Sequence, residues 1–316
     1  MTLSHCPELT MSSIPVDLPE EHFLRFADQL GFRAEVKSVC GAVAAQSDFI
    51  RTERSKAQEA VAEKGGNPRQ VVTHVDIANA HALDEVVKSK FPDQWAVCEE
   101  LAPLAVPEKG KGHVRDTLDN TLDYANPEVD VPDEVGVLLA FYLGIESRLG
   151  TVYMPWSNLE EREGRGDWYY GSSNHGAYKN GVELELETTK PKPEVVYVNR
   201  ATAQTDLITA LISVLKNEGV DVVEISPSST KPLRLLDGVA NAMVLHENVV
   251  NEWKDGQPVP KQGPWDKAAV MEIYRGAGGH VCDLPSGEET SAFGEITPFI
   301  YGAEQHCRWI LSLLNT

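Results

Sequence analysis

Three separated segments of the sequence place carboxylates where a chain usually turns. Glu99 follows an apolar stretch, Asp116 and Asp119 flank Thr117-Leu118, and Asp266 precedes an alanine-containing stretch. Each has an ordinary structural explanation by itself, because adjacent glutamates are usually solvated and aspartates commonly cap helices or turns. Together they indicate a metal centre, since hard divalent cations bind several oxygen ligands and need no soft ones.

The spacing of Asp116 and Asp119 favours phosphoryl chemistry. A tight turn between them would direct both carboxylates toward neighbouring cations. If Asn120-Thr121 opens a helix, its backbone amides would form an anion cradle beside those cations. Two cations so placed would neutralise phosphate oxygens, lower the pKa of a bound water and stabilise the leaving oxygen. The segment therefore predicts a site for two-metal phosphoryl transfer.

Composition limits the possible partners and compartment. The formal net charge of −20 argues against binding nucleic acid or an anionic membrane, although acidity also serves simple solubility. The five cysteines lack CxxC spacing, which fits a reducing compartment and offers no thiolate zinc site. Residues 1–13 lack the regions of a signal peptide, and the longest apolar run, Val135 to Leu143, is too short to span a bilayer. We therefore expect a cytoplasmic protein.

The order of predicted elements indicates an α/β protein in two parts after a flexible tail at residues 1–19. Residues 20–190 are predicted to form an N-terminal α+β domain with an antiparallel sheet, two long helices and the metal site. Residues 191–316 are predicted to form a C-terminal α/β domain. Its β–α–β pattern, through residues 195–225, indicates a helix-covered sheet that completes the catalytic cleft.

An ordered series of short motifs accompanies the carboxylates. It consists of Val71-Val-Thr73-His-Val-Asp76, Phe91-Pro92-Asp93 before Glu99-Glu100, Asp116–Thr121, Gly171…Gly176-Ala177…Asn180-Gly181, Leu236-Asp-Gly238-Val-Ala240-Asn241-Ala242 and Trp265-Asp266…Ala277-Gly278-Gly279. In this order the series resembles the inositol monophosphatase family, which includes bisphosphate nucleotidases and other lithium-sensitive small-molecule phosphatases. The resemblance spans roughly residues 71–287 and implies an alternating α-β-α-β-α sandwich of the sugar-phosphatase type.

The resemblance also implies a cofactor, two or three Mg²⁺ ions. Asp116 would be shared by two of them, and a third, weaker ion would lie near Glu99 and Asp76. The implied metal ligands are Glu99, Asp116, the carbonyl of Leu118, Asp119 and Asp266.

Further roles follow from the same resemblance. Asp76 and Thr121 would position the attacking water and help to deprotonate it, and the backbone amides of Asn120 and Thr121 would hold the phosphate. Ser228 and Lys231 lie in a loop that would contact substrate. Lys231 would meet a second phosphate or else be a solvated surface charge, which is the interpretation we favour from sequence. A homodimer is a family expectation.

Several residues depart from the family pattern at the site itself. Asn120 replaces the glycine beside the phosphate, Thr117 replaces a proline, and Arg115 occupies an apolar strand position. Asparagine tolerates a left-handed backbone better than other non-glycine residues. Cys98 and Val270 replace small residues of the family pattern.

The predicted function is that of a magnesium-dependent phosphoric monoester hydrolase. Its substrate would be a small soluble phosphomonoester of the inositol phosphate, sugar phosphate or nucleotide 3′-phosphate type. Because Asn120 and Arg115 alter the surroundings of the metal ligands, two alternatives stay open. One is a regulator or scaffold that binds a metal–phosphate ligand without turnover. The other is a repurposed enzyme that acts on a phosphorylated intermediate without hydrolysing it.

Overall fold

The computed structural model describes most of the chain from residue 20 onward. The predicted flexible tail, residues 1–19, lies outside the described residues. No helix within the described part is long and apolar enough to cross a membrane. The described residues are 20–59, 62–64, 67–101, 109–157, 165–186, 190–199, 206–225, 228–246, 253–254, 257–258, 263–284, 286–293 and 298–315.

The described residues contain ten α-helices, which we label α1 to α10. A π-helical turn joins α2 to α3, and short 3-10 turns cover Glu99–Leu101 and Leu313–Asn315. The helices are α1 Glu21–Gln29, α2 Arg33–Glu35, α3 Gly41–Thr52, α4 Arg54–Glu59, α5 His74–Lys90, α6 Thr121–Ala125, α7 Asp206–Asn217, α8 Pro232–Leu236, α9 Pro264–Gly276 and α10 Glu304–Ser312.

Sixteen β-strands occur in the same ranges. They are β1 Ala62–Lys64, β2 Asn67–Val72, β3 Trp95–Cys98, β4 Lys111–Asp119, β5 Gly136–Leu143, β6 Glu146–Met154, β7 Asp167–Ser172, β8 Gly176–Lys179, β9 Val182–Leu184, β10 Val195–Asn199, β11 Asp221–Ile225, β12 Ala242–His246, β13 Trp253–Lys254, β14 Gln257–Pro258, β15 His280–Asp283 and β16 Pro298–Gly302. β1 with β2 and β13 with β14 form two-stranded ribbons.

Strands β3 to β9 form a seven-stranded sheet in sequence order. All neighbours are antiparallel except β3 and β4, which are parallel. The antiparallel middle of the chain is thus confirmed, since successive strands joined by short turns pair with each other. The connection between β5 and β6 is short, because β5 ends at Leu143 and β6 begins at Glu146.

The second sheet has five strands in the order β11-β10-β12-β16-β15. β10 pairs in parallel with β11 and β12, and β16 is antiparallel to its neighbours. Helix α7 connects β10 to β11, so the predicted β–α–β unit is confirmed. The seven-stranded sheet ends at Leu184 and the five-stranded sheet begins at Val195, but the division into two domains near residue 190 stays a prediction.

The two sheets and their helices form five alternating layers. Along β5, Leu139 and Phe141 pack against α1, α3 and α5, whereas Leu138, Ala140 and Tyr142 pack toward α8 and α9. The five-stranded sheet packs on the side of α9 that faces away from the seven-stranded sheet. Helices α7 and α10 pack on the outer face of the five-stranded sheet. This arrangement follows from strand alternation, which gives each sheet two apolar faces to bury. The predicted α-β-α-β-α sandwich is confirmed.

Close approach of α9 to the seven-stranded sheet depends on two glycines. A Cβ added to Gly150 on β6 would lie 2.0 Å from the carbonyl oxygen of Ala269, and one on Gly171 would lie 2.9 Å from Cα of Ile273. Any side chain at these positions would push the helix away. Because Asp266 is in the first turn of α9, this packing also sets where its carboxylate lies.

Arg115 on β4 is fully buried and points toward α5. Its Nη2 lies 3.2 Å from Oδ1 of Asp84, and its Nη1 lies 2.9 Å from Nε2 of His113. Burial, followed by the charge of Arg115, lowers the pKa of His113 to about 3. The neutral imidazole therefore accepts the hydrogen bond from Arg115. Arg115 thus links α5 to β4, the strand that also carries Asp116.

Breaking the buried pair is expected to destabilise the fold. Asp84→Ala leaves the Arg115 guanidinium without its counter-charge, so the free energy of unfolding should fall by about 3 kcal/mol. Lys88→Ala removes the other partner of Asp84, but Lys88 is 76% exposed, and its loss should cost less than about 1 kcal/mol. Urea titrations measure both values.

The double variant Asp84→Ala/Arg115→Met is the control for an unpaired charge. It removes both charges and should recover most of the stability lost by Asp84→Ala alone. Equal destabilisation by Asp84→Ala and Lys88→Ala would contradict a structural role for the buried pair.

Candidate metal centre

Three carboxylates from distant parts of the sequence meet in one cluster. Oxygen atoms of Glu99, Asp116 and Asp266 all lie within 4.8 Å of one another. Glu99 follows the end of β3, Asp116 lies in the parallel neighbour β4, and Asp266 lies in the first turn of α9. The cluster therefore joins the edge of the seven-stranded sheet to the central helix layer.

The electrostatics of this cluster fit a divalent cation. Burial, together with the charges of Glu99, Asp119 and Asp266, raises the pKa of Asp116 well above its usual range. Burial, Glu99 and Asp119 raise the pKa of Asp266 in the same way. Like charges at this distance disfavour ionisation, and a bound cation removes that cost. The donor set consists of hard carboxylate oxygens, which suits Mg²⁺ and does not suit a thiophilic metal.

Helix α9 supports the position and charge of Asp266. The Oδ2 atom of Asp266 accepts a hydrogen bond of 2.6 Å from the backbone N–H of Gly263 at the helix N-terminus. An anion in the first turn also interacts favourably with the helix dipole. On β4, Oδ1 of Asp116 accepts a hydrogen bond of 2.9 Å from the backbone N–H of Leu118. Both carboxylates are therefore oriented by backbone donors.

A β-bulge brings Asp119 to the same region as Asp116. Asp116 pairs with Leu138 and Asp119 with Gly136, so β4 has one more residue than β5 between these positions. In a regular strand two residues three positions apart would face opposite sides of the sheet, and the extra residue corrects this. The predicted turn between them was wrong, because both aspartates lie within β4.

Asp119 is held by a loop from the C-terminal half of the chain. Its Oδ2 accepts from the Ser228 hydroxyl at 3.2 Å and from the Ser229 N–H at 3.1 Å. The hydroxyl of Ser229 donates to Oδ1 at 2.7 Å. Burial raises the pKa of Asp119 to about 6, although the hydrogen bonds from Ser229 and Ser228 oppose the shift.

Asp76 and Thr121 form a second polar group beside Asp119. The Thr121 hydroxyl lies 2.7 Å from Oδ1 of Asp76 and 2.8 Å from the carbonyl oxygen of Leu118. The other oxygen of Asp76, Oδ2, accepts from the backbone N–H and hydroxyl of Thr73 at 2.8 and 2.6 Å. This capping box at the start of α5 fixes Asp76 with one oxygen directed at Thr121.

Asn120 occupies the left-handed conformation that its position demands. Its φ is 64°, and its side-chain amide donates a hydrogen bond of 2.9 Å to Oδ2 of Asp123 in α6. Thr121 is the first residue of α6, as the sequence predicted if the segment opens a helix. The asparagine side chain thus folds back on its own helix, and the backbone keeps the conformation in which glycine is usual.

A profile of the inositol monophosphatase family matches residues 33–306 of the chain. This chain belongs to that family. The match extends beyond the span of residues 71–287 over which the sequence motifs show the resemblance. Among curated proteins, a fructose-1,6-bisphosphatase/inositol-1-monophosphatase of Thermotoga maritima is 25% identical over 74% of this chain and 78% of its own length. A Nus factor SuhB of Pasteurella multocida is 25% identical over 71% of this chain and 76% of that protein.

Solved structures of inositol monophosphatases, or IMPases, share the fold. A Thermotoga maritima IMPase has a TM-score of 0.68 at 19% identity and covers 91% of this chain and 97% of its own. An IMPase/NADP phosphatase complexed with Mg²⁺ and phosphate has a TM-score of 0.69 at 17% identity and covers 93% and 96%. At these identities the likeness shows the shared fold.

Ser228 and Lys231, which were predicted to contact substrate, contact carboxylates of the protein. Ser228 bonds to Asp119, as described above, and the Lys231 ammonium pairs with Glu134. Lys231 is only 5% exposed, so its interpretation as a solvated surface charge was wrong.

Two residues near the site were not predicted to take part. Thr73 lies three residues before Asp76 in the motif Val71–Asp76. This is the spacing of a helix capping box, so it could have indicated that Thr73 orients Asp76. Ser229 lies in the same loop as Ser228 and Lys231, and its contact with Asp119 joins residues 110 positions apart. Sequence spacing carries no signal for such a contact.

Neutralising the cluster should separate stability from cation binding. Asp116→Asn keeps an acceptor for Leu118 and removes one negative charge, so the metal-free variant should melt a few degrees above the unchanged protein. It should also lose most of the rise in melting temperature that Mg²⁺ produces by binding the folded state. Thermal denaturation in EDTA and in Mg²⁺ measures both effects.

The matched control is Asp221→Asn, an exposed acid at the start of β11. It should leave both melting temperatures unchanged. A lower melting temperature of Asp116→Asn in EDTA, combined with a full response to Mg²⁺, would contradict this description of the cluster.

Proposed function

We propose that this family member is a Mg²⁺-dependent phosphatase that hydrolyses a small soluble phosphomonoester with an activated water. The observation that carries the proposal is the meeting of Glu99, Asp116 and Asp266 within 4.8 Å, in a chain of the inositol monophosphatase family. The adjacent pair of Asp76 and Thr121 supplies a hydroxyl–carboxylate hydrogen bond suited to proton transfer. Inositol phosphates, sugar phosphates and nucleotide 3′-phosphates are the proposed substrate classes.

The proposed metal ligands are the three clustered carboxylates, the carbonyl of Leu118 and Asp119. The Leu118 carbonyl lies 2.8 Å from the Thr121 hydroxyl and retains a second lone pair for a cation. Two or three Mg²⁺ ions would neutralise phosphate oxygens, lower the pKa of a water and stabilise the leaving oxygen. The crowding of these carboxylates supports cation binding, because their repulsion otherwise opposes ionisation.

Asp76 and Thr121 are the proposed catalytic residues. The Thr121 hydroxyl would accept a proton from the attacking water as it passes its own proton to Oδ1 of Asp76, 2.7 Å away. Because Thr73 holds Oδ2 of Asp76, the carboxylate keeps its orientation during this transfer. The backbone N–H groups of Asn120 and Thr121 would bind phosphate oxygens.

The contacts of Lys231 bear on the size of the substrate. A second phosphate could engage this ammonium only by displacing Glu134 from a nearly buried ion pair. Breaking such a pair is unfavourable. This supports a monophosphate over a bisphosphate as substrate. A cytoplasmic location and a homodimer remain predictions.

The two features that motivated a non-catalytic function have other roles in the fold. The Asn120 side chain bonds to Asp123, and Arg115 bonds to Asp84 and His113. Neither contact removes one of the proposed metal ligands. Turnover is therefore the better-supported proposal, and tight binding of a phosphorylated ligand without phosphate release would favour the regulator or scaffold instead.

A phosphate-release screen with Mg²⁺ tests the proposal across inositol phosphates, sugar phosphates and nucleotides. We expect release from at least one monophosphate, with inhibition by Li⁺. Thr121→Val keeps the shape of the side chain but removes the proton-transferring hydroxyl, so kcat should fall about 10²- to 10⁴-fold. Its stabilisation by Mg²⁺ should persist, because the carboxylates are unchanged.

Thr52→Val is the control for this substitution. Thr52 is an exposed residue at the end of α3, and its replacement should leave kcat unchanged. Absence of phosphate release from every member of the panel would refute hydrolysis. Loss of substrate phosphate without uptake of oxygen from labelled water would instead favour elimination or transfer.

A further inference from the structure

The hydroxyl of Ser229 lies between two carboxylates that belong to different layers of the fold. Its Oγ is 2.7 Å from Oδ1 of Asp119 on β4 and 3.3 Å from Oδ1 of Asp266 on α9. The backbone N–H of Ser229 also donates to Oδ2 of Asp119 at 3.1 Å. Ser229 is 6% exposed, so these contacts have little competition from solvent. One residue thus binds both oxygens of Asp119 and reaches Asp266.

The loop that carries Ser229 is anchored to the sheet that carries Asp119. The hydroxyl of Thr230 donates a hydrogen bond of 2.7 Å to the carbonyl oxygen of Glu134. Its methyl group packs so closely on Gly136 that an added Cβ there would lie 2.8 Å away. Gly136 is the partner of Asp119 in the β4–β5 pairing. Thr230, the neighbour of Ser229, thus contacts the strand residue that pairs with Asp119. These contacts set the position of Ser229 relative to Asp119.

Asp119 needs such orientation because it lies outside the tightest group of acids. The three carboxylates within 4.8 Å of one another in the described residues are Glu99, Asp116 and Asp266. A serine hydroxyl has one proton, which the shorter contact assigns to Asp119. The longer contact keeps the same hydroxyl beside Asp266, so oxygen atoms of Ser229, Asp119 and Asp266 lie close together. Oxygen atoms arranged in this way suit a hard divalent cation.

We propose that Ser229 is a positioning residue for a divalent cation shared by Asp119 and Asp266. By holding both oxygens of Asp119, it fixes the carboxylate in the orientation that the cation requires. Hydrogen bonds to metal-ligating groups commonly change affinity by about 10- to 100-fold. Within the described residues, the contacts of Ser229 with the acids of the site are to Asp119 and Asp266. Because Ser229 bonds to both oxygens of Asp119 but makes only a longer contact with Asp266, its influence falls mainly on the cation that Asp119 binds.

This inference rests on the proposed metal dependence, and its test reads cation binding directly. Mn²⁺ is a suitable probe because it prefers oxygen ligands and its free form is measured by electron paramagnetic resonance. We would titrate the full chain and its Ser229→Ala variant with Mn²⁺ alone. We expect the Mn²⁺ ion bound by Asp119 to bind about 10- to 100-fold more weakly in the variant, and any other bound Mn²⁺ ion to change its affinity much less.

Two further variants separate orientation from general destabilisation. Ser229→Thr keeps the hydroxyl and should restore the weakened affinity. Ser213→Ala removes an exposed hydroxyl on α7, which bonds to the carbonyl oxygen of Thr209, and should bind Mn²⁺ as the unchanged chain does. Melting temperatures in EDTA establish that each variant is folded.

The possible outcomes distinguish the role of Ser229 from the proposed metal dependence. Equal Mn²⁺ binding by the unchanged chain and Ser229→Ala would overturn the role of Ser229, as would a folded Ser229→Thr that binds as weakly as Ser229→Ala. Equal weakening of all bound ions by Ser229→Ala would also overturn it, because the effect would not fall mainly on the cation that Asp119 binds. Absence of Mn²⁺ binding by the unchanged chain would instead refute the proposed metal dependence.

Discussion

Mutual repulsion among carboxylates is the constraint around which this structure is organised. Burial, followed by the charges of neighbouring acids, raises the pKa values of Asp116, Asp119 and Asp266. A protein retains such a group only where local donors or a cation offset the repulsion. Backbone N–H groups of Leu118 and Gly263 and the two serines beside Asp119 provide those donors. Donors of the protein itself therefore orient Asp116, Asp119 and Asp266.

The five-layer architecture explains how acids so distant in sequence meet. Helix α9 lies between the two sheets, and glycines on β6 and β7 let it approach the seven-stranded sheet closely. Its first turn, which carries Asp266, lies near the end of β4. There the bulge places Asp119 on the same face of the sheet as Asp116. A shift of the central helix would move Asp266 relative to both. Packing in the apolar layers thus determines the geometry of the polar site.

The departures from the family pattern are accommodated locally. Asn120 keeps the backbone conformation of the glycine it replaces and satisfies its side chain within α6. Arg115 introduces a buried charge but receives an acid from α5 and a neutral imidazole from β4. These compensations involve residues outside the motifs themselves. A motif can therefore change at a sensitive position while the carboxylates around it stay in place.

The sequence by itself determined the fold class, the family and the carboxylates that form the cluster. Strand alternation and helical stripes depend on neighbouring residues, so the antiparallel middle and the later β–α–β unit could be predicted from short segments. Asp76 and Thr121 could be named for the same reason, because each lies in a recognisable local motif.

The tertiary structure alone decided the bulge in β4, the burial of Arg115 and Lys231, and the position of Ser229 between two acids. A bulge depends on how one strand pairs with another, and the environment of a charged side chain depends on which element packs against it. Ser229 meets Asp119 across 110 residues through the folding of one loop onto another sheet. Such contacts arise from packing between layers, which local sequence patterns do not encode.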